Sequence, residues 1–87
     1  MAKVIKFYSD NCAPCKAMSP IFDEIVKELG VEAESLNIGE ADNRQKALEL
    51  GVRAVPTFVV YNEQGSPFVK TGMVAKDVLK EFISNPQ

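Results

Sequence analysis

Short β-prone stretches and longer runs with helical spacing of apolar residues alternate along this chain. Residues 4–8 are β-prone and are followed by polar, turn-forming residues, which predicts a strand and then a loop. Apolar residues within 12–29 recur at spacings of three and four, as one face of a helix requires, and Gly30 favours termination there. Inside that helix Pro20 lacks a backbone donor, which predicts a bend in the helix axis.

The middle of the chain repeats the alternation and then adds a hairpin. Residues 33–38 fit a second strand, and Asp42 is expected to cap a short helix that ends at Leu50. Residues 57–61 and 67–71 are β-prone and flank a turn of polar residues and glycine. This arrangement predicts an antiparallel hairpin.

The order of elements sets the fold class. Apolar residues between 74 and 83 mark a last amphipathic helix, so the order is βαβαββα. A mixed four-stranded sheet with helices on both faces accommodates this order, because the first crossover gives a parallel pair and the hairpin an antiparallel pair. We expect an α/β fold in one domain spanning residues 1–87, since no linker, repeat or low-complexity segment divides the chain.

Charge and hydropathy exclude several classes of function. Ten Lys and Arg against twelve Asp and Glu give a formal charge of -2, which offers no electrostatic footprint for nucleic acid or an anionic membrane. No apolar run has the length of a signal peptide or of a spanning helix. We therefore expect a cytoplasmic protein that binds neither nucleic acid nor membranes.

Two cysteines, Cys12 and Cys15, carry the candidate chemistry. They are too few for a secreted disulfide framework, and the absence of histidine excludes Cys-His nucleophile pairs and most zinc sites. Three residues apart in a first helical turn, their Cα atoms would lie roughly 5 to 6 Å apart, which suits an unstrained disulfide. The pair could open and close without backbone movement. This spacing favours a redox centre, with no metal or other cofactor, over two small buried apolar residues.

The two cysteines are expected to play different parts. Cys12, at the start of the helix, lies beside unpaired N–H groups and the positive end of the helix dipole, which lower the pKa of a thiol. We interpret Cys12 as the nucleophile and Cys15, one turn deeper, as the resolving thiol that attacks the mixed disulfide. Pro14 between them fixes φ at an early helical position.

These motifs resemble those of the thioredoxin superfamily over nearly the whole chain. The matching segments are Phe7-Tyr8, Cys12-Ala13-Pro14-Cys15-Lys16 with the later Pro20, Gly51-Val52-Arg53-Ala54-Val55-Pro56-Thr57, and Gly72. The resemblance implies that Pro56 is cis and packs against the cysteine turn, whereas composition alone also allows a trans proline that opens a strand. It further implies that a substrate peptide pairs with the backbone of Val55, near Gly72, Asn11 and Ala13.

Several residues depart from the family pattern. Asn11 and Ala13 stand where thioredoxins usually carry Trp and Gly, so substrate recognition is expected to differ. The family's buried carboxylate, which assists proton transfer at the resolving thiol, falls at Lys6, and its partner lysine falls at Ser35. We hypothesise that Lys6 lies under the disulfide, where its charge favours the thiolates or where, as a neutral amine, it accepts a proton. The alternative is that Lys6 extends to solvent from an edge of the strand.

The resemblance implies a monomeric protein-disulfide reductase, an electron carrier in cell redox homeostasis that is re-reduced by a flavoprotein thioredoxin reductase. A glutathione-linked reductase is the second hypothesis, because the chain has the length of a glutaredoxin, although Ala13-Pro14 and Gly72-Met73 depart from the glutaredoxin motifs. A third is a binding module that grips a partner around Val55 and Gly72 irrespective of redox state. Spacing alone does not set the direction of exchange, which depends on the reduction potential.

Overall fold

The computed structural model describes residues 3–86, within which three helices and four strands follow the predicted order βαβαββα. The elements are β1 (Lys3–Tyr8), α1 (Ala13–Leu29), β2 (Glu32–Asn37), α2 (Ala41–Glu49), β3 (Thr57–Tyr61), β4 (Pro67–Thr71) and α3 (Lys76–Ser84). None of the helices in this described part of the chain is long and apolar enough to cross a membrane.

The four strands form one mixed sheet in the order β2-β1-β3-β4. β1 pairs with β2 in parallel and with β3 in antiparallel fashion, and β4 completes the predicted hairpin with β3. β1 is therefore an inner strand with a neighbouring strand on each side. Lys6, for example, lies between Ser35 of β2 and Phe58 of β3.

Side chains that alternate along β1 enter two separate cores, because successive residues of a strand point to opposite faces of the sheet. Val4 joins the larger core with residues of α1 and α3, whereas Ile5 and Phe7 pack with Ala47 of α2. The prediction of helices on both faces is confirmed. Lys6 has the same parity as Val4, so it points toward α1 and the larger core.

Helix boundaries differ from the predictions at several residues, although α1 contains Pro20 as predicted. Cys12 is the N-cap of α1 rather than its first residue, α2 ends at Glu49 with Leu50 as its C-cap, and α3 begins at Lys76, after Val74. The prediction that Asp42 caps α2 is wrong, because Glu40 is the N-cap and Asp42 lies in the first turn. The turn before α2 explains the shift: Glu40 N donates to Asn37 O at 3.1 Å, so the chain enters the helix earlier. An acidic side chain in a first turn still complements the helix dipole.

Candidate active site

The two cysteines are joined in a disulfide at the beginning of α1. Their Cα atoms lie 5.2 Å apart, in agreement with the distance expected from the spacing. Cys12 has extended backbone angles as the N-cap, and the N–H of Cys15 points at Cys12 Sγ at 3.1 Å. Because the helix dipole is positive at this end, negative charge on the Cys12 sulfur is favoured, and the first turn carries no acidic residue to oppose it.

Only a small part of each cysteine reaches solvent. Cys12 is 7% exposed and Cys15 is 3% exposed. Pro14 is exposed in the first turn of the helix, where its missing N–H costs no hydrogen bond. Asn11 and Ala13 are also exposed on either side of Cys12. The two cysteines therefore lie beneath exposed neighbours at the start of α1.

A second group of predicted residues lies at the same end of the sheet. The Val55-Pro56 bond is cis, as the resemblance implied. Pro56 O accepts a hydrogen bond from Gly72 N at 2.8 Å, and the φ of +94° at Gly72 favours glycine. The end of β1 and the end of β4 both pair with the start of β3. The loop that leads from β1 to Cys12 therefore lies at the same end of the sheet as the contact between Pro56 and Gly72.

Next to the disulfide is an open cleft of about 500 Å³. Its walls come from β1, the following loop, α1 and β2, and the residues are Lys6, Tyr8, Ser9, Asp10, Cys15, Lys16, Ser19, Asp23 and Ser35. The structure thus places Lys6, which was predicted to lie under the disulfide, in the lining of the same cleft as Cys15. Ser35 is the neighbour of Lys6 across the parallel pair and is exposed.

Among the residues that the structure describes, Lys6 is the one charged residue that is buried, with 4% of its surface exposed. Its Nζ donates a hydrogen bond of 2.6 Å to Ser19 Oγ and lies 5.1 Å and 5.6 Å from the ring centroids of Phe22 and Tyr8. Burial lowers the pKa of Lys6, and the carboxylate of Asp23 partly opposes that change. The alternative of a lysine extending to solvent from a strand edge is wrong, since β1 is an inner strand.

Ser19 and Asp23 are site residues that the sequence reasoning missed. Cys15, Ser19 and Asp23 follow one another at intervals of four in α1, which places them on one face of the helix. That spacing is the sequence feature that could have identified Ser19 and Asp23 as neighbours of Cys15. It becomes informative only once Lys6 is known to face the same helix.

The described residues contain no group of three or more histidine, cysteine or carboxylate side chains placed to hold a metal ion. A cysteine pair at a helix start, closed as a disulfide after an inner strand of a mixed α/β sheet, is the arrangement of a thiol-disulfide oxidoreductase.

Comparison with known proteins agrees with this class. The thioredoxin family model matches residues 1–85, and the chain belongs to the thioredoxin family. It is 31% identical over 81 residues to a thioredoxin of Rickettsia conorii, and the match covers 93% of this chain and 77% of that protein. It is 37% identical over 82 residues to a thioredoxin of Buchnera aphidicola, covering 92% and 74% respectively.

Solved structures give the same result. A point mutant of a thioredoxin from Halobacterium salinarum superposes with a TM-score of 0.85 at 27% identity, covering 95% of this chain and 72% of that one. The short form of thioredoxin f from spinach chloroplast gives a TM-score of 0.80 at 34% identity, covering 95% and 73%. The protein is thus a protein-disulfide oxidoreductase, with a redox-active disulfide and disulfide-containing proteins as its class of substrate.

Proposed function

We propose that this protein is an electron carrier that reduces disulfides of other proteins, with Cys12 as the attacking thiol and Cys15 as the resolving thiol. The observation that carries this assignment is the position of the two sulfurs relative to α1. Cys12 is the N-cap and lies beside exposed residues, whereas Cys15 is one turn inside the helix and faces the cleft. The dipole therefore favours the thiolate at Cys12 more than at Cys15.

The exchange proceeds in two steps. The Cys12 thiolate attacks one sulfur of the substrate disulfide, so that a Cys12–substrate bond forms and the other substrate sulfur leaves as a thiolate. The Cys15 thiolate then attacks Cys12 Sγ, which closes the Cys12–Cys15 bond and releases the second substrate thiolate. Two electrons pass from the dithiol to the substrate, and each released thiolate takes its proton from solvent.

Substrate binding is assigned to the end of the sheet that holds the disulfide. We propose that an extended segment of the substrate pairs with the backbone of Val55, which is half-buried and precedes Pro56. Gly72, hydrogen-bonded to Pro56, bounds this surface on one side, and Asn11 and Ala13 bound it on the other. The side chains at these last two positions would tune which substrates are accepted.

Membership of the thioredoxin family also supports a proposal for the physiological setting. We propose a monomer with one domain that acts in the cytoplasm in cell redox homeostasis, needs no cofactor besides its own disulfide, and is re-reduced by a flavoprotein thioredoxin reductase. Membership of the thioredoxin family supports this reductant over glutathione, and so does Ala13-Pro14 in the cysteine motif.

Insulin reduction coupled to NADPH and thioredoxin reductase tests the proposal. Turnover is expected for the native chain and none for Cys12→Ser. Cys15→Ser, the matched single-sulfur variant, should instead accumulate a covalent mixed disulfide with insulin, visible by mass spectrometry. Trapping by Cys12→Ser rather than Cys15→Ser would reverse the assigned roles, and turnover only with glutathione and glutathione reductase would favour the glutathione-linked alternative. Binding of a partner that survives loss of both cysteines would favour a redox-independent module.

A further inference from the structure

We propose that Lys6 is a positioning residue for the reaction. Its buried ammonium group, held in place by Ser19, stabilises the thiolate of Cys15 in the reduced protein. The inference rests on the proposed function, in which Cys15 is the resolving thiol. It assigns a part in the reaction to a side chain that the exchange steps themselves do not use.

The surroundings of Lys6 are those of a cation rather than of an apolar residue. Ser19 Oγ accepts its hydrogen bond at 2.6 Å, and the aromatic rings of Phe22 and Tyr8 lie within the range of cation–π attraction. Such contacts partly replace the water that an ammonium group loses on burial. These contacts favour the charged form of Lys6 at the wall of the cleft.

The same geometry directs that charge toward Cys15. Lys6 points from β1 to α1, and its hydrogen-bond acceptor Ser19 lies one helical turn after Cys15 on the same face. Lys6, Ser19 and Cys15 line one cleft. Because Lys6 and Cys15 are both more than nine-tenths buried, an interaction between their charges is screened less than one in water.

Other charged groups around the cleft leave Lys6 free to act on the sulfur. The titratable neighbours are Tyr8 of β1, Asp10 of the loop, and Lys16 and Asp23 of α1, while β2 contributes only the neutral Ser35. Asp23 attracts Lys6 but forms no ion pair with it among the described residues, whose salt bridges all involve other lysines. In the disulfide form Cys15 carries no charge, so Lys6 gains an anionic sulfur as a neighbour only on reduction.

The step that Lys6 assists is the ionisation of Cys15. The S–H bond of Cys15 breaks, its proton goes to solvent, and the electron pair stays on sulfur as the thiolate that attacks Cys12 Sγ. Lys6 gives up no proton; it stabilises the anion through its positive charge. When the Cys12–Cys15 bond closes, the negative charge leaves with the substrate thiolate.

The pKa of Cys15 in the reduced protein tests the proposal without substrate or reductase. In a Cys12→Ser background, the chemical shift of the isotope-labelled Cys15 Cβ is followed across pH by NMR. Lys6→Met should raise the pKa of Cys15 enough to reduce its thiolate fraction near neutral pH about tenfold, which corresponds to a change of about one in pKa. Ser19→Ala should shift the pKa in the same direction by less, because the ammonium loses its anchor.

Lys16→Met is the matched control, since Lys16 lines the same cleft but is exposed. It should leave the pKa of Cys15 nearly unchanged, because solvent screens its charge. An unchanged or lower pKa in Lys6→Met would overturn the proposal, and so would equal shifts in Lys6→Met and Lys16→Met. The same spectra report folding, and Ser19→Ala decides the matter if Lys6→Met does not fold.

The equilibrium with glutathione gives a second readout in the chain with both cysteines. Loss of thiolate stabilisation should move Lys6→Met toward the disulfide and to a more negative potential, by up to about tenfold or about 30 mV at a pH where Cys15 of the native chain is ionised. A purely structural role for Lys6 would leave this equilibrium unchanged. Failure of insulin reduction by the native chain would reject the proposed function, yet it would not alter the comparison of Cys15 pKa values.

Discussion

At the scale of single residues, Lys6 is costly to the folded state. Lysine is seldom fully buried without a paired carboxylate, and here the ammonium has one serine acceptor and two aromatic faces instead. Removal of a buried charge in favour of an apolar side chain of similar length is often stabilising. Retention of Lys6 in the core is consistent with a functional use that outweighs this cost.

Stability at alkaline pH should reveal the cost of burying Lys6. Its folded pKa lies below the ordinary value of 10.5, so the unfolded chain binds more protons in the window between the two pKa values. Stability therefore rises with pH through that window, as the folded amine loses its charge. Lys6→Met should be the more stable protein at neutral pH, with an advantage that shrinks as the pH approaches 10.5.

Urea unfolding of the oxidised proteins across this pH range provides the measurement, because the disulfide removes thiol titration from the comparison. Lys16→Met serves again as the control and should run parallel to the native chain. A Lys6→Met advantage that stays constant or grows with rising pH would show that the folded pKa of Lys6 is not lowered.

The part of the site that local sequence determines was predictable, and the part that depends on packing was not. The Cys12–Cys15 spacing fixes its own geometry within one helical turn, so the disulfide distance follows from the sequence. The Lys6–Ser19 hydrogen bond joins residues from two elements, and it forms only because β1 lies inside the sheet and faces α1. Neither fact is contained in the alternation of residues along β1.

At the scale of elements, helical periodicity, β-propensity and turn residues were sufficient for the order βαβαββα and for both strands of the hairpin, whose predicted bounds match β3 and β4. Element boundaries that depend on the loops were harder to predict from the sequence. The second strand begins at Glu32 because its register follows β1 from Lys3 onward, and α2 begins before Asp42 because of the turn at Asn37. Each difference comes from pairing or turn hydrogen bonds with residues outside the element itself.

α1 and α3 are joined by an exposed ion cluster at which one carboxylate serves two lysines. Glu28 binds Lys76 at 2.8 Å and Lys80 at 2.9 Å, and these hydrogen bonds lower the pKa of Glu28 to about 2. A depressed carboxylate pKa contributes stability that is present above the ordinary value of 4.5 and is lost as the pH falls through about 2. The cluster therefore holds α3 against α1 at neutral pH.

Glu28→Gln should lower stability slightly at neutral pH and low salt, since exposed ion pairs are screened by solvent. The loss should diminish at high salt and disappear as the pH approaches the pKa of Glu28. Thermal unfolding at two salt concentrations and several acidic pH values measures both dependences. Glu63→Gln, with the same charge change in the exposed β3–β4 turn, is the control; equal losses in the two variants would mean that net charge rather than the α1–α3 contact is responsible.

At the scale of the whole molecule, the disulfide is peripheral to both cores. It closes a loop between residues only three apart at one end of α1, while the two hydrophobic clusters lie on either side of the sheet. So short a loop removes little entropy from the unfolded chain, about 2 kcal/mol in the chain-entropy account. The fold should therefore persist when the disulfide is reduced, as a carrier that alternates between two redox states requires.

The difference in unfolding free energy between the oxidised and reduced forms then measures how strongly the folded state stabilises the thiolates. Loop closure favours the oxidised form by at most about 2 kcal/mol. The helix dipole and Lys6 stabilise the thiolates of the folded reduced form, so they make the difference in unfolding free energy between the two forms smaller.

Urea unfolding with and without dithiothreitol at neutral pH should give a difference below that limit in the native chain. Lys6→Met should widen it, because the substitution relieves a buried charge in the oxidised form but also removes the partner of the Cys15 thiolate in the reduced form. A gap that stays equal or narrows in Lys6→Met would mean that Lys6 does not distinguish the two redox states, whatever its effect on overall stability.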